Sequence, residues 1–256
     1  MSIRISIITA VYNREETISS AIESVLNQQY KNVEYIVVDG KSTDRTQEII
    51  QRYRSQIAKS ICEEDNGIYE ALNKGIREST GDVVGFLHAD DLLASKNVLG
   101  KVADAFSDPS IEAAYGDLLY VNKNNPERIV RYWKSGSFQV NRFRWGWMPP
   151  HPTVYLRRQS YVNLGSYREE FKISADYELL VRMMFKEKLK TAYIDDVLVK
   201  MRIGGLSNSS MSNRMIANRE DRIAWKVNGL PPPFALQLLK PLRKLRQFWE
   251  RPEIDR

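Results

Sequence analysis

The first 110 residues switch repeatedly between two hydrophobic periods. ISIITAV (5–11) is a near-continuous apolar run of strand length, and the segment after it, 14–29, sets Ile18, Ala21, Ile22, Val25 and Leu26 on one helical face. Asn13 followed by Glu16 has the spacing of a capping box and predicts the helix start there. VEYIVVD (33–39) is a strand apolar enough to be buried on both faces. STDRTQEIIQRY opens with N-cap residues and continues with Ile49, Ile50 and Tyr53 at helical spacing. A short strand near 60–63, a helix carrying Ile68, Ala71, Leu72 and Ile76, a strand over 82–87 and a helix over 95–106 complete the series. This alternation predicts an α/β fold: a Rossmann-like, mostly parallel central sheet with flanking helices.

Such sheets bind ligands at the carboxyl ends of their strands. Residues 9–13, Asp39 and the Asp90–Asp91 pair all fall there, so three polar loops converge on one edge. In GFLHADDLL (85–93) an apolar strand ends in two adjacent carboxylates. Like charges side by side are unfavourable unless a cation or a substrate charge lies between them. The plainer alternative is that they cap the helix near Ser95.

The second half is less regular. AAYGDLLYV (113–121) and RIVRYW (128–133) read as antiparallel strands, and RWGWMPPHPTVYLRR as a Trp- and Pro-rich loop leading into a strand. A helix starts at Ala175 or Asp176 with Leu179, Leu180, Met183 and Met184 facing inward. Residues 191–203 supply one or two short strands and 212–228 a helix, before a break at 231–233. The last segment, FALQLLKPLRKLRQFWERP, interleaves Leu238, Leu239, Leu242, Leu245, Phe248 and Trp249 with Lys240, Arg243, Lys244, Arg246 and Arg251. That basic amphipathic pattern fits an anionic membrane surface, or a helix packed on the core with a solvated basic face.

Charge narrows the partners. A net charge of +6 and a pI near 9.2 point to a phosphate-bearing ligand, an anionic membrane or nucleic acid. The basic residues gather in the tail while the sheet edge is acidic, the reverse of a phosphate-tracking groove, which argues against nucleic acid. A single cysteine, Cys62, excludes an internal disulfide framework and fits a reducing compartment. No signal-peptide pattern opens the sequence, and no apolar run approaches the roughly 18–20 residues that span a bilayer. The expected location is cytoplasmic, peripheral at the inner face of the plasma membrane where the tail binds it.

TAVYN (9–13), VVDGKSTDRT (37–46), EDNGIYEALNKGI (64–76), HADD (88–91), PHPTVYLRR (150–158) and SADYELLVR (174–182) occur in one order across most of 3–205. Together they resemble the family 2 glycosyltransferases of the GT-A fold, of the non-processive bacterial type that extends surface polysaccharides or lipid-linked glycans. The resemblance implies a GT-A domain over 1–205, with a nucleotide-sugar-binding half (1–110) and an acceptor half (111–205), followed by a C-terminal helical extension (206–256). It implies inverting transfer from a nucleotide-diphosphate sugar, foremost a UDP-sugar, to a hydroxyl of a glycan or an undecaprenyl-diphosphate-linked acceptor. Mn2+ or Mg2+ on the diphosphate is the implied cofactor, consistent with hard oxygen ligands.

Carried over residue by residue, Asp91 reaches the metal while Asp90, with His88 and Ala89, faces the ribose or donor sugar. Asp39 accepts the imide N–H of the pyrimidine, or is simply a turn aspartate before Gly40. Thr9, Ala10, Tyr12 and Asn13 flank base and ribose, although Tyr12 also suits core packing. Lys41 stands where the family often has a second glycine. Asp65 orients the base loop or caps a helix; Lys74 is a cation near the diphosphate or a solvated helix lysine. Asp176 matches the catalytic base and also an ordinary N-cap, with Tyr177 and Glu178 as substitutes. Trp147 and His151 are acceptor-side candidates, His151 equally a plain loop histidine. NRFRW (141–145) resembles the QxxRW motif of processive synthases only superficially: Asn stands first, and it precedes Asp176. A nucleotidyltransferase would share the sheet and the acidic site but needs a Gly-rich basic phosphate loop, which TAVYNREET lacks. A non-catalytic nucleotide-sugar-binding protein would keep the same donor residues.

Overall fold

A strand with no polar face must be covered on both sides, and β1 (Ile5–Val11) is buried along its whole length. In the computed structural model, which describes residues 2–204 and 211–234, β1 pairs in parallel with β2 (Val33–Asp39) and β4 (Val83–Phe86). The edge strand β3 (Lys59–Cys62) pairs in parallel with β2. Crossovers between these strands run through α1 (Ile18–Leu26), α2 (Thr46–Arg52) and α3 (Ile68–Glu78). Alternate β1 side chains serve opposite faces: Ile8 and Ala10 join α3, Ile7 and Val11 join α1. Each fully buried aliphatic side chain contributes about 1.5–3 kcal/mol. A Cβ at Gly75 would collide with Ile8, so glycine there lets α3 lie directly on β1.

The second half completes the same sheet. The short β8 (Tyr155–Arg157) pairs antiparallel with β4 and with β6 (Ala113–Val121), joining the two halves. The strand β9 (Thr191–Arg202) runs parallel to β6, β5 (Leu92–Leu93) pairs antiparallel with β9, and β7 (Ile129–Trp133) pairs antiparallel with β6. Among the described residues the order is β3-β2-β1-β4-β8-β6-β9-β5, with β7 beside β6. Four helices complete the described fold: α4 (Val98–Ala105), α5 (Arg158–Leu164), α6 (Ala175–Leu180), continued by a π turn (Val181–Lys186), and α7 (Met211–Val227). Trp225 and Ala224 of α7 are fully buried in the core that also holds α6.

Several boundaries differ from the sequence expectation. α1 starts at Ile18 because the N–H groups of Thr17 and Ile18 donate to the Arg14 carbonyl (3.1 and 3.0 Å), closing a separate turn. No capping box forms; Asn13 adopts φ 50° and its side chain bonds to the next loop. β5 intervenes between HADD and α4, so the acidic pair does not cap that helix. Residues 191–202 form one long strand, and α5 was hidden by its polar sequence, with only Ser160 and Tyr161 buried. The basic amphipathic stretch from Leu238 to Arg251 lies outside the described residues. Among the described residues no helix is long and apolar enough to cross a membrane.

Candidate active site

The parallel register sets Val11 opposite Asp39, so β1 and β2 release their loops at one level. There Asn13 Oδ1 accepts from the Thr43 N–H at 2.8 Å, and the Asn13 N–H donates to Ser42 Oγ at 2.9 Å. Ser42 donates to Asp39 Oδ1 through its N–H (3.1 Å) and hydroxyl (2.5 Å). Asp39 is fully buried, with its other oxygen 3.5 Å from Cys62 Sγ, so this carboxylate is also the turn aspartate of the plainer reading. A Cβ at Gly40 would meet the Asp65 carboxylate, which packs the loop after β3 onto the loop after β2. Asp65 Oδ1 accepts from the Gly67 N–H at 3.0 Å. Lys41 keeps the left-handed conformation a glycine would favour, φ 64°, at a cost of about 1–2 kcal/mol.

Around these loops the other donor-side candidates divide. Tyr12 is 56% exposed and presents its ring at the edge. Thr9 and Ala10 are sealed inside β1, and Thr9 Oγ1 meets the Tyr35 hydroxyl at 3.1 Å, so they shape the floor from within the sheet. Lys74 donates to the Glu64 carbonyl at 2.6 Å and pairs with Glu70 at 3.3 Å. It is neither a solvated lysine nor an uncommitted cation, because it ties down the 63–66 loop.

HADD follows β4 as a tight turn, with the Asp91 N–H donating to the His88 carbonyl at 3.0 Å. The two carboxylates separate. Asp91 is 1% exposed; Oδ1 accepts from the Arg202 N–H at 3.2 Å, and Oδ2 is buried with no hydrogen-bond partner among the described residues. Burial first, and then the charge of Asp90, pushes its carboxyl well above the usual carboxylate range. Asp90 is less buried, and its charge acts on His88. Arg202, at the end of β9, donates to the Asp90 carbonyl (2.6 Å) and to Ser20 Oγ (3.1 Å), clamping the turn against α1. An undercompensated acidic pair of hard oxygens fits a divalent cation. Among the described residues no three His, Cys, Asp or Glu side chains cluster to hold a metal by themselves.

Asp176 stands in the first turn of α6, where Ser174 occupies the N-cap position, so the simple N-cap reading does not hold. Its Oδ2 lies 2.9 Å from His151 Nδ1, and the His151 ring sits edge-on to His88 with centroids 5.7 Å apart. His88 is held down to about 4 by burial and by His151, against the pull of Asp90 and Asp176, so it is neutral at pH 7. Thus His88 of the acidic turn and the His151–Asp176 pair of the second half come together. A cavity of about 10 Å³, roughly one water in size, lies beneath His151 and Asp176, lined by Phe86, Tyr161 and Tyr167 among others.

The remaining acceptor candidates face the core. Tyr177 is 2% exposed and its hydroxyl accepts from Trp225 Nε1 at 2.9 Å. Glu178 is fully buried and binds Arg168, Arg182 and Asn228. Trp147 packs among Tyr115, Phe138 and Phe143 and donates to the Ser135 carbonyl at 3.3 Å, leaving Trp145 as the exposed tryptophan of that loop. Sequence reasoning missed Arg202 and also Glu220 of α7, whose carboxylate accepts the N–H groups of Lys172, Ile173 and Ser174 at 2.8–2.9 Å. The one local signal for Arg202 is a charged residue closing the run VLVKMR; Glu220 has none.

The family model described as Glycosyl transferase family 2 matches residues 6–164, more than half of the 256-residue chain. The chain is 27% identical over 217 residues to the PGL/p-HBAD biosynthesis glycosyltransferase of Mycobacterium tuberculosis, covering 82% of each chain. It is 30% identical over 207 residues to an uncharacterized glycosyltransferase of Rickettsia typhi, covering 78% of this chain and 64% of that one. Among solved structures, the mannosyltransferase PcManGT of Pyrobaculum calidifontis, in complex with GDP-Man and Mn2+, superposes with a TM-score of 0.65 at 20% identity, covering 94% of this chain and 72% of that one. Residues 1–349 of S. aureus TarS in complex with UDP give 0.65 at 18% identity, over 86% of this chain and 65% of that one. At those identities the structural likeness speaks for the fold.

Proposed function

Because the chain belongs to glycosyl transferase family 2, and is therefore a glycosyltransferase of the GT-A fold, we propose that it is an inverting enzyme using a nucleoside diphosphate sugar. The base would lie against Tyr12, Asn13, Asp39 and Asp65, and a UDP-sugar is the donor we favour, since Asp39 is an acceptor-only group suited to an imide N–H. The acceptor is a hydroxyl of a glycan or of an undecaprenyl-diphosphate-linked saccharide in bacterial polysaccharide synthesis, met by a protein peripheral at the cytoplasmic face of the membrane. The observation that carries the reading is the meeting of the two halves at one histidine pair: Asp176 Oδ2 of α6 lies 2.9 Å from His151 Nδ1, and that ring sits 5.7 Å, centroid to centroid, from His88 of the acidic turn.

Asp176 takes the acceptor proton as the acceptor oxygen bonds to the anomeric carbon. The bond from that carbon to the diphosphate oxygen breaks on the opposite side, its electron pair leaves with the diphosphate, and the configuration inverts. Mn2+ or Mg2+ bound at the acidic turn would take up charge on the departing diphosphate. The sequence expectation gave that contact to Asp91. The burial of both Asp91 oxygens supports Asp90 instead, with Asp91 and Arg202 fixing the turn behind it. The diphosphate and water would supply the remaining ligands.

The test is nucleotide release and product formation by the full chain with a panel of UDP-, GDP- and dTDP-sugars, with Mn2+ present or chelated. Asp176→Asn should abolish transfer while donor binding persists. Wild-type turnover in that variant would reject Asp176 as the base, and failure of every nucleotide sugar to shift the melting temperature would reject the donor reading.

A further inference from the structure

The base proposed above is not a lone carboxylate, and we propose that His151 is its positioning residue: Nδ1–H donates to Asp176 Oδ2 and fixes the plane of the carboxylate toward the acceptor. This rests on Asp176 being the base. An Asp side chain turns about two torsions, and a displacement of about 1 Å at a reacting group can cost a hundredfold in rate. Nδ1 lies 2.9 Å from Oδ2, within hydrogen-bond distance. The backbone of the histidine is itself held in place. It begins a short 3-10 turn, His151–Thr153, flanked by Pro149, Pro150 and Pro152, whose rings fix φ. Thr153 locks that turn by donating through N–H (2.9 Å) and Oγ–H (2.8 Å) to the Pro150 carbonyl, and its Oγ lies 3.0 Å from the Gly116 carbonyl. Its ring also meets that of His88, with centroids 5.7 Å apart.

The carboxylate's own backbone is held equally firmly. Glu220 gathers the three N–H groups preceding α6, and Tyr69 donates to the Ile173 carbonyl at 2.6 Å. On that fixed backbone the His151 contact bears directly on the rotation of the carboxylate. With Nδ1 committed to Asp176, His151 acts through the base rather than as an independent acceptor contact.

The test compares H151A, H151N and H151Q with D176N in the full chain, using the donor and acceptor that support transfer. H151A should lower kcat about tenfold to a hundredfold with the acceptor KM unchanged. H151N, whose amide N–H occupies the place of Nδ1–H, should recover most of the loss, and H151Q should not. A wild-type kcat in H151A, a rise in acceptor KM alone, or an H151N as slow as H151A would each overturn the proposal. Turnover surviving in D176N would remove the base reading and this proposal with it. An inactive D176N beside an unimpaired H151A would remove only this one.

Discussion

Asp90 and Asp91 are adjacent in sequence and opposite in environment. Burial raises the Asp91 carboxyl even with Arg202 beside it, whereas its more exposed neighbour can meet an incoming cation. Asp90→Asn is therefore expected to abolish Mn2+ binding, read by calorimetry or by the electron paramagnetic resonance of free Mn2+. Asp91→Asn should retain it, because the side-chain amide oxygen of that variant still accepts from the Arg202 N–H. The opposite ranking would return the metal to Asp91. That an acidic pair closes β4 was legible in the sequence; how it divides was not, since Arg202 is more than a hundred residues away and nothing near the pair points to it. Lys41 shows the converse case. Its departure from glycine was visible, and the structure shows the loop keeping glycine's backbone shape regardless.

Elements were legible where one period ran uninterrupted. The strands β1, β2 and β4 fall where the apolar runs placed them, because burial on both faces leaves a strong mark. Helix ends were not, since Asn13 accepts from the Thr43 N–H across space, and Asp44 divides its oxygens between the distant Glu15 N–H and the Thr46 N–H that opens α2. One element-level knot has a pH consequence. Glu34 of β2 is 3% exposed, and accepts from Ser6 Oγ (2.6 Å), Thr80 N–H (2.7 Å) and Thr80 Oγ (2.7 Å), with Arg4 at 3.3 Å. Burial alone would raise its carboxyl, but the bonds from Ser6 and Thr80 and the Arg4 charge outweigh it and leave the group below its ordinary 4.5. The folded chain then binds this proton less readily than the unfolded chain. Its contribution is complete above pH 4.5 and disappears as the pH falls through the folded value. Glu34→Gln should cost about 1–3 kcal/mol near neutrality, with the gap to wild type narrowing in acid, measured by urea unfolding across pH.

At the scale of the whole molecule, charge is segregated. The candidate site is built from Asp39, Asp65, Asp90 and Asp176, whereas residues 235–256 carry six basic and three acidic side chains, half of the chain's net +6. On the proposed reading, a cation screens the acidic site from the diphosphate and an anionic surface receives the basic, leucine-rich tail. Each Lys or Arg near such a surface contributes about 1 kcal/mol, falling with salt. The full chain should therefore co-sediment with vesicles containing phosphatidylglycerol and be released at high ionic strength, and should not bind vesicles of phosphatidylcholine alone. A variant ending at Leu230 should lose this binding yet keep its turnover of a soluble acceptor. It retains Trp225 in the core, and the Leu230 N–H still closes α7 on the Trp225 carbonyl at 2.9 Å. If the shortened chain sediments as fully as the intact one, the surface lies elsewhere. If instead it loses turnover and melts early, the tail is part of the fold, and its basic face is a solvated exterior rather than a membrane contact.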